Sequence, residues 1–384
     1  MESEDLSSFR PLRIILNGAG GSGKSVVINT IVTVIRKMFD TDDVVKIAAP
    51  TGTAAFNVSG ETFHHMLGNR VSRLAYLPNS MSAAKRLKLI KKFKCLLALI
   101  VDERSLVSNS ILGTAARQIC ETTFDGGPLR EDIWGGLPIV ILAGDDFQLP
   151  PQEEGPLNVL SGGAPKNKMI STGRNALLEC AENVYDLQGS KRIKDSNYDD
   201  KDLIAQLRLA TETGVEDKHV DRLMNLHLDN IKMKHGEAFV SDIESKAIFL
   251  FYQNEKRIRH NVEQLAKQQG HDNPVALMKC QSTSNTYGKG VASHFDSKAP
   301  KSVMLCVGSK VAIDNKNFCP QWGLHNGACG TVDEIVFAPG ENPNHGDLPS
   351  HVVVEFPLYC GPAWDKDNPK VRFLGLKSSC QHFF

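Results

Sequence analysis

Three short stretches carry the residues best suited to chemistry. Gly18, Ala19, Gly20, Gly21, Ser22, Gly23, Lys24 and Ser25 fit G-x-x-x-x-G-K-[ST] at every fixed position. A triphosphate is a dense anion, and successive backbone N–H groups in a glycine loop can surround it. Glycines let the backbone take positive φ and approach closely, and a following helix N-terminus adds partial positive charge. Lys24 can then reach the β- and γ-phosphates, and the Ser25 hydroxyl can ligate Mg²⁺. The second stretch is the acidic pair Asp102-Glu103, which ends the apolar run Cys95–Val101 (CLLALIV). Downstream of such a loop, Asp102 would hold Mg²⁺ and Glu103 would polarise an attacking water. A strand that simply ends in surface acids is the other reading of the same pair. The third is GDDFQLPP, residues 144–151, where Gln148 is placed to sense a γ-phosphate by hydrogen bonding; read alone, it is an acidic turn stopped by two prolines.

These residues need elements that bring them together. Leu12–Leu16 is a short apolar run, as a buried strand would be, and Val26–Met38 is of helix length. Strand, glycine loop and helix thus come in the order a P-loop needs. Val44–Ala49 (VVKIAA) reads as a second strand running into Pro50, Thr51, Gly52, Thr53, Ala54 and Ala55. Cys95–Val101 and Leu137–Ala143 read as buried parallel strands, apolar on both faces. In open α/β sheets, ligands bind beyond the carboxyl ends of such strands. Met81–Lys94 is helical in composition and carries Lys85, Arg86, Lys88, Lys91, Lys92 and Lys94. Such a run reads as a solvated face, with a phosphate-contacting patch as the alternative.

Composition narrows the class. The chain has 384 residues, 41% hydrophobic and 23% charged, which suits two or three globular domains. No run approaches the roughly 20 apolar residues of a membrane span. The opening MESEDLSSFR resembles neither a secretory signal nor a transit peptide. Nine cysteines include no C-x-x-C pair, so a zinc ribbon is not expected and reduced thiols in an intracellular protein are. Net charge is zero, so any nucleic-acid-binding charge must be local.

GAGGSGKS, APTGTAA with GETFHH, LIVDERSL and GDDFQLPP occur in the order and spacing of superfamily-one DNA helicases. They resemble most the Pif-type group, relatives of RecD and of Helitron transposon helicases. The likeness covers about residues 11–160, and GDDFQLPP is its most discriminating part. Further on, Tyr185–Ile193 (YDLQGSKRI) resembles the family's fourth motif and sets Arg192 where the family places an arginine on the γ-phosphate. A surface salt bridge is the other reading of Arg192. Asp202–Thr213 resembles the short helix that follows, and Ala247–Phe251 (AIFLF) a strand of a second sheet. Leu305–Ile313 and Leu324–Ile335 resemble later family strands, and Asn326-Gly327 is a hairpin signal in its own right. Three features depart from the family pattern. No glutamine motif precedes the loop, Arg104 stands where a small or aliphatic residue is usual, and the fifth and sixth motifs are not present.

The resemblance implies an ATP-dependent DNA helicase, 5′-to-3′, with roles in DNA repair, recombination and telomere maintenance. It implies ATP and Mg²⁺ as cofactors. ATP would sit on Gly18–Ser25, with Ser25 and Asp102 on the metal and Lys24, Asp102, Glu103, Gln148 and Arg192 catalytic. Arg192 would help close a second domain onto ATP. Contacts to single-stranded DNA and DNA junctions would come from Thr51, Gly52, Thr53, Thr62, His64 and Phe147. No membrane partner is expected, and the nucleus or mitochondrion is the expected location. The expected fold is α/β, a P-loop NTPase with a parallel-sheet RecA-like domain plus a second, incomplete RecA-like domain carrying a β-rich insertion. The expected divisions are a tail over 1–10, a first domain over 11–175, a partial second domain over 176–302, and a β-rich segment over 303–384 that stops before the last helicase motifs. A linker is expected at 152–174. The competing expectation is a helicase remnant or fragment that binds ATP and DNA without unwinding.

Overall fold

The computed structural model describes residues 10–68, 81–123, 132–151, 168–189, 191–192, 198–270, 272–279, 302–313, 318–341, 347–362 and 371–375. They fall into two compact units, Met1–Lys246 and Ala247–Phe384. In the first, β1 (Leu12–Gly18) and α1 (Lys24–Phe39) flank the glycine loop. β2 (Val45–Ala49), α2 (Gly52–Asn57), β3 (Glu61–Thr62), α3 (Phe63–Met66), α4 (Ala83–Phe93), β4 (Ala98–Val101), α5 (Asn109–Cys120), β5 (Ile139–Gly144), α6 (Lys168–Cys180) and β6 (Val184–Leu187) follow. The six strands form one sheet in the order β3-β2-β4-β5-β1-β6, and every pairing is parallel.

The apolar runs follow from burial on both faces of that sheet. On β4, Ala98 and Ile100 pack with Ile28, Val32 and Ile35 of α1. Leu99 and Val101 point the other way, into a layer with Phe93, Leu112, Ala115, Trp134 and Leu177. The alternation is the strand period of two, with a helical layer on each side. α5 and α6 cross at two glycines: a Cβ on Gly113 would collide with the Met169 carbonyl, and one on Gly173 with the Asn109 carbonyl.

β6 pairs with β1 from Ile15↔Val184 to Gly18↔Leu187. The sheet therefore extends past the division expected near residue 175. Residues 168–174, expected as linker, open α6, whose Met169, Ala176 and Leu177 are buried. The rest of the expected linker, and the tail over 1–9, lie outside the described residues. α7 (Tyr198–Thr213), α8 (Asp217–Met224), α9 (Leu228–His235) and α10 (Glu237–Lys246) complete the first unit, which runs to Lys246.

The second unit holds α11 (Asn254–Gln268) and six strands, β7 (Ala276–Lys279), β8 (Ser302–Leu305), β9 (Lys310–Ala312), β10 (Cys329–Val336), β11 (His351–Glu355) and β12 (Val371–Gly375). β7 and β8 pair antiparallel, and a second sheet runs β12-β11-β10-β9, also antiparallel. Val311, Val332, Val352, Val354 and Phe356 form its core. Ala247–Phe251 is not a strand: no described segment pairs with it, and Ile248 and Leu250 stand 88% and 92% exposed. An apolar run forms a strand only where a neighbour takes its backbone hydrogen bonds. Asn326-Gly327 makes a turn, with Gly327 at φ +87°, but it leads into β10 rather than closing a two-residue hairpin. β9 and β10 pair with Ala312 opposite Cys329, so their connection runs through residues 313–328.

Candidate functional site

In a parallel sheet every strand ends on the same edge, and the candidate residues lie just beyond those ends. Along the edge come Thr62 at the end of β3, Thr51 after β2, Asp102 after β4, Asp145 after β5, the glycine loop after β1 and Arg192 after β6. Four strand spacings, about 19 Å, separate the Thr62 end from the glycine loop.

The loop is shaped by its glycines at two points. Gly21 and Gly23 take φ +83° and +103°, and Gly23 is the N-cap of α1. A Cβ on Gly18 would collide with Ser22 Oγ, itself buried with no hydrogen-bond partner among the described residues. Lys24 is buried in the first turn of α1, and its Nζ donates to the carbonyls of Gly18 (2.6 Å) and Ala19 (3.2 Å). Ser25, next along the helix, is exposed.

Asp102 is 5% exposed at the end of β4, with its backbone N–H donating to Ala48 O at 2.9 Å. Burial pushes its carboxyl above the usual range, and the Lys24 charge opposes the shift. Glu103 sits in the left-handed region at φ +51°, ψ +48°, an unusual conformation for a non-glycine residue. Its Oε2 is buried without a hydrogen-bond partner among the described residues. Burial pushes its carboxyl above the usual range most strongly, followed by the Asp102 charge, while Lys24 and Arg192 draw it back down. One ammonium thus faces two adjacent, poorly solvated carboxyls.

Arg192 approaches from β6. Its guanidinium lies 4.0 Å from where a Cβ on Gly20 would stand, and Lys191 N–H donates to Gly21 O at 2.7 Å. It belongs to the same unit as the glycine loop rather than to a second one. Gln148 is exposed on the turn after β5, where its backbone N–H donates to Asp145 O at 3.0 Å. Phe147 on the same turn is 46% exposed.

Two hydroxyls expected to face DNA also cap helices. Thr51 Oγ1 accepts from Ala54 N at 3.2 Å at the start of α2, and Thr62 Oγ1 from His65 N at 3.3 Å at the start of α3. Gly52 is buried and Thr53 exposed. His64 is half-buried, and desolvation lowers its basicity. Glu61 beside them holds both His65 and Lys92 of α4, which sets the basic helix next to Thr62.

The residues that sequence reasoning gave no role are Asn17, Asp145 and Arg208, and Arg104 was recognised only as a departure. Arg104 is 3% exposed, and its Nη2 donates to Asn17 Oδ1 (2.7 Å) and Asp146 Oδ1 (2.6 Å). It cross-ties the end of β1 to the turn after β5, behind the glycine loop. Gly144 permits this approach, since a Cβ there would stand 3.0 Å from Arg104 Cβ. Arg104→Met keeps the apolar stem and leaves Asp146 and Asn17 without their donor. We expect it to cost about 2 kcal/mol, below the full penalty for breaking a buried pair because Asp146 is one-third exposed. The midpoint of guanidinium denaturation measures this.

Residues 5–177 match the family model described as PIF1-like helicase. This part of the chain is PIF1-like. A Trypanosoma brucei brucei relative, ATP-dependent DNA helicase PIF4, is 31% identical over 247 residues, covering 60% of this chain and 28% of that protein. ATP-dependent DNA helicase RRM3 of Saccharomyces cerevisiae is 29% identical over 141 residues, covering 36% of this chain and 18% of that one. The chain thus spans less than a third of the length of these curated relatives. Among solved structures, the Pif1 helicase of Candida albicans aligns with a TM-score of 0.59 at 20% identity, over 95% of this chain and 74% of that one. A Bacteroides Pif1 helicase in complex with ADP-AlF3 and ssDNA aligns with a TM-score of 0.51 at 19% identity, over 95% and 70%. At these identities the structures speak to the fold alone.

Proposed function

We propose that the chain hydrolyses ATP and couples each turnover to movement along single-stranded DNA, as the PIF1-like part of a 5′-to-3′ DNA helicase. The observation that supports this best is the meeting of Lys24, Asp102, Glu103 and Arg192 at one sheet edge, the same edge that carries the Thr51 turn. A generic nucleotide-binding loop does not require a basic helix and helix-capping threonines on the same edge.

In this reading the amides of Gly18–Lys24 and the Lys24 ammonium hold the β- and γ-phosphates. Lys24 leaves the Gly18 and Ala19 carbonyls as it swings to the nucleotide. Mg²⁺, when bound, neutralises phosphate charge and orients the γ-phosphoryl group. The donor set suits it. Asp102 and Ser25 are hard oxygen ligands, and Mg²⁺ takes one or two such ligands with water and phosphate. Glu103, with a buried orphan oxygen, accepts the proton of the attacking water. Arg192 meets the charge that develops on the γ-phosphate. Gln148 reports that phosphate to the turn that carries Phe147. Single-stranded DNA and DNA junctions are the proposed partners, with contacts from Thr51, Gly52, Thr53, Thr62, His64 and Phe147, bases stacking on the aromatic ring. Roles in DNA repair, recombination and telomere maintenance, in the nucleus or mitochondrion, go with this reading. Steady-state ATP hydrolysis by the purified chain, with and without single-stranded DNA, tests it.

A further inference from the structure

α7 returns to the site and delivers Arg208 to it, 63 residues along the chain from Asp145. Arg208 meets Asp145 as a two-pronged pair, with Nη1 on Oδ2 at 2.8 Å and Nη2 on Oδ1 at 3.0 Å. Asp145 is 4% exposed and Arg208 about one-third exposed, so the buried carboxylate is met by a charge-assisted, two-pronged donor at the edge of the solvent. Asp145 Oδ1 also accepts the backbone N–H of Phe147 at 3.1 Å. The guanidinium carbon of Arg208 stands 4.3 Å from the centre of the Phe147 ring. One arginine therefore fixes both the carboxylate that shapes the turn and the aromatic face that the turn presents.

The same carboxylate looks toward the nucleotide. Asp145 feels the Lys24 charge, and Glu103 feels the Asp145 charge. Its neighbour Asp146 is held from the other side by Arg104. The turn carrying Phe147 and Gln148 is thus tied to β1 by Arg104 and to α7 by Arg208. A change of charge at the glycine loop acts on Asp145, and Asp145 reaches the ring by two short paths, its own bond to the Phe147 backbone and the Arg208 guanidinium against the ring face.

We infer that Arg208 is a positioning residue that couples the nucleotide end of the site to Phe147, so that the grip on DNA depends on the bound nucleotide. This rests on the helicase reading above. The two-pronged bond requires a guanidinium, since lysine offers a point charge without the fork.

The test is the affinity of the purified chain for a fluorescent single-stranded oligonucleotide, by anisotropy, with Mg²⁺-ADP and with a non-hydrolysable Mg²⁺-ATP analogue. The readout is the ratio of the two Kd values within each protein. A variant that merely folds poorly loses active fraction in both states, which cancels in the ratio. In the wild type the ratio is expected to depart from one by about 10-fold. In Arg208→Met it should fall to within about twofold of one, and Arg208→Lys should lie between. An Arg208→Met ratio as large as the wild type's overturns the coupling role. A wild type that does not bind the oligonucleotide, or binds it equally with both nucleotides, overturns the helicase reading and the coupling role with it.

Discussion

Replacing Lys24 with alanine is expected to abolish ATP turnover while the chain still folds. Among the described residues, Lys24 is the ammonium that faces the glycine-loop carbonyls, Asp102 and Glu103 together. In the proposed reading its charge meets the γ-phosphate in transfer. Loss of a single preorganised donor of that kind lowers turnover by about 100-fold or more. The fold does not depend on it to the same degree. The apolar face of α1, with Ile28, Val32 and Ile35, stays packed on the sheet. Initial rates of phosphate release, with a thermal melt on the same sample, check both halves. Turnover near the wild-type rate in a well-folded Lys24→Ala protein would remove the glycine loop from its assigned role.

Glu103→Gln is expected to separate binding from hydrolysis. The amide keeps the size and placement of the side chain, so nucleotide still binds. It cannot accept the proton of the attacking water, and general-base catalysis contributes about 100- to 10,000-fold. The structure adds a stability signature of definite sign. Burial and the Asp102 charge push the Glu103 carboxyl above its usual range, so the carboxylate is disfavoured in the folded state. That cost is absent below the unfolded carboxyl's pKa and fully present above the raised folded value. Near neutral pH the neutral amide relieves it, and the melting temperature of Glu103→Gln should be equal to or above that of wild type. A fall in both turnover and melting temperature would argue that Glu103 holds the fold rather than the water. Its left-handed backbone fits the first account, because strain of about 1–3 kcal/mol persists where surrounding structure enforces it.

The glycine loop and the acidic pair were legible in sequence because local chemistry fixes them. Positive φ at Gly21 and Gly23 requires glycine, and the doubly buried β4 requires an unbroken apolar run up to Asp102. The parallel sheet was legible for the same reason, since β2, β4 and β5 are short apolar strands separated by helix-length segments. Arg208 was not legible. It comes from a helix far along the chain, and no local pattern distinguishes it from a surface arginine until the fold sets it on Asp145. Arg104 was visible as a departure, but its role follows only from the adjacency of β1 and β5, which puts Asn17 opposite Gly144. Ala247–Phe251 misled in the opposite sense. Its composition is that of a strand, but pairing depends on a neighbour that composition does not report.

The central claim is that this edge hydrolyses ATP under the control of DNA, and the most direct measurement is steady-state ATP hydrolysis by the purified chain with and without single-stranded DNA. The account predicts slow hydrolysis alone and strong stimulation by the oligonucleotide, both lost in Lys24→Ala. No hydrolysis in either condition, from a protein that binds ATP and DNA, would contradict it and leave a nucleotide-dependent DNA-binding module in its place.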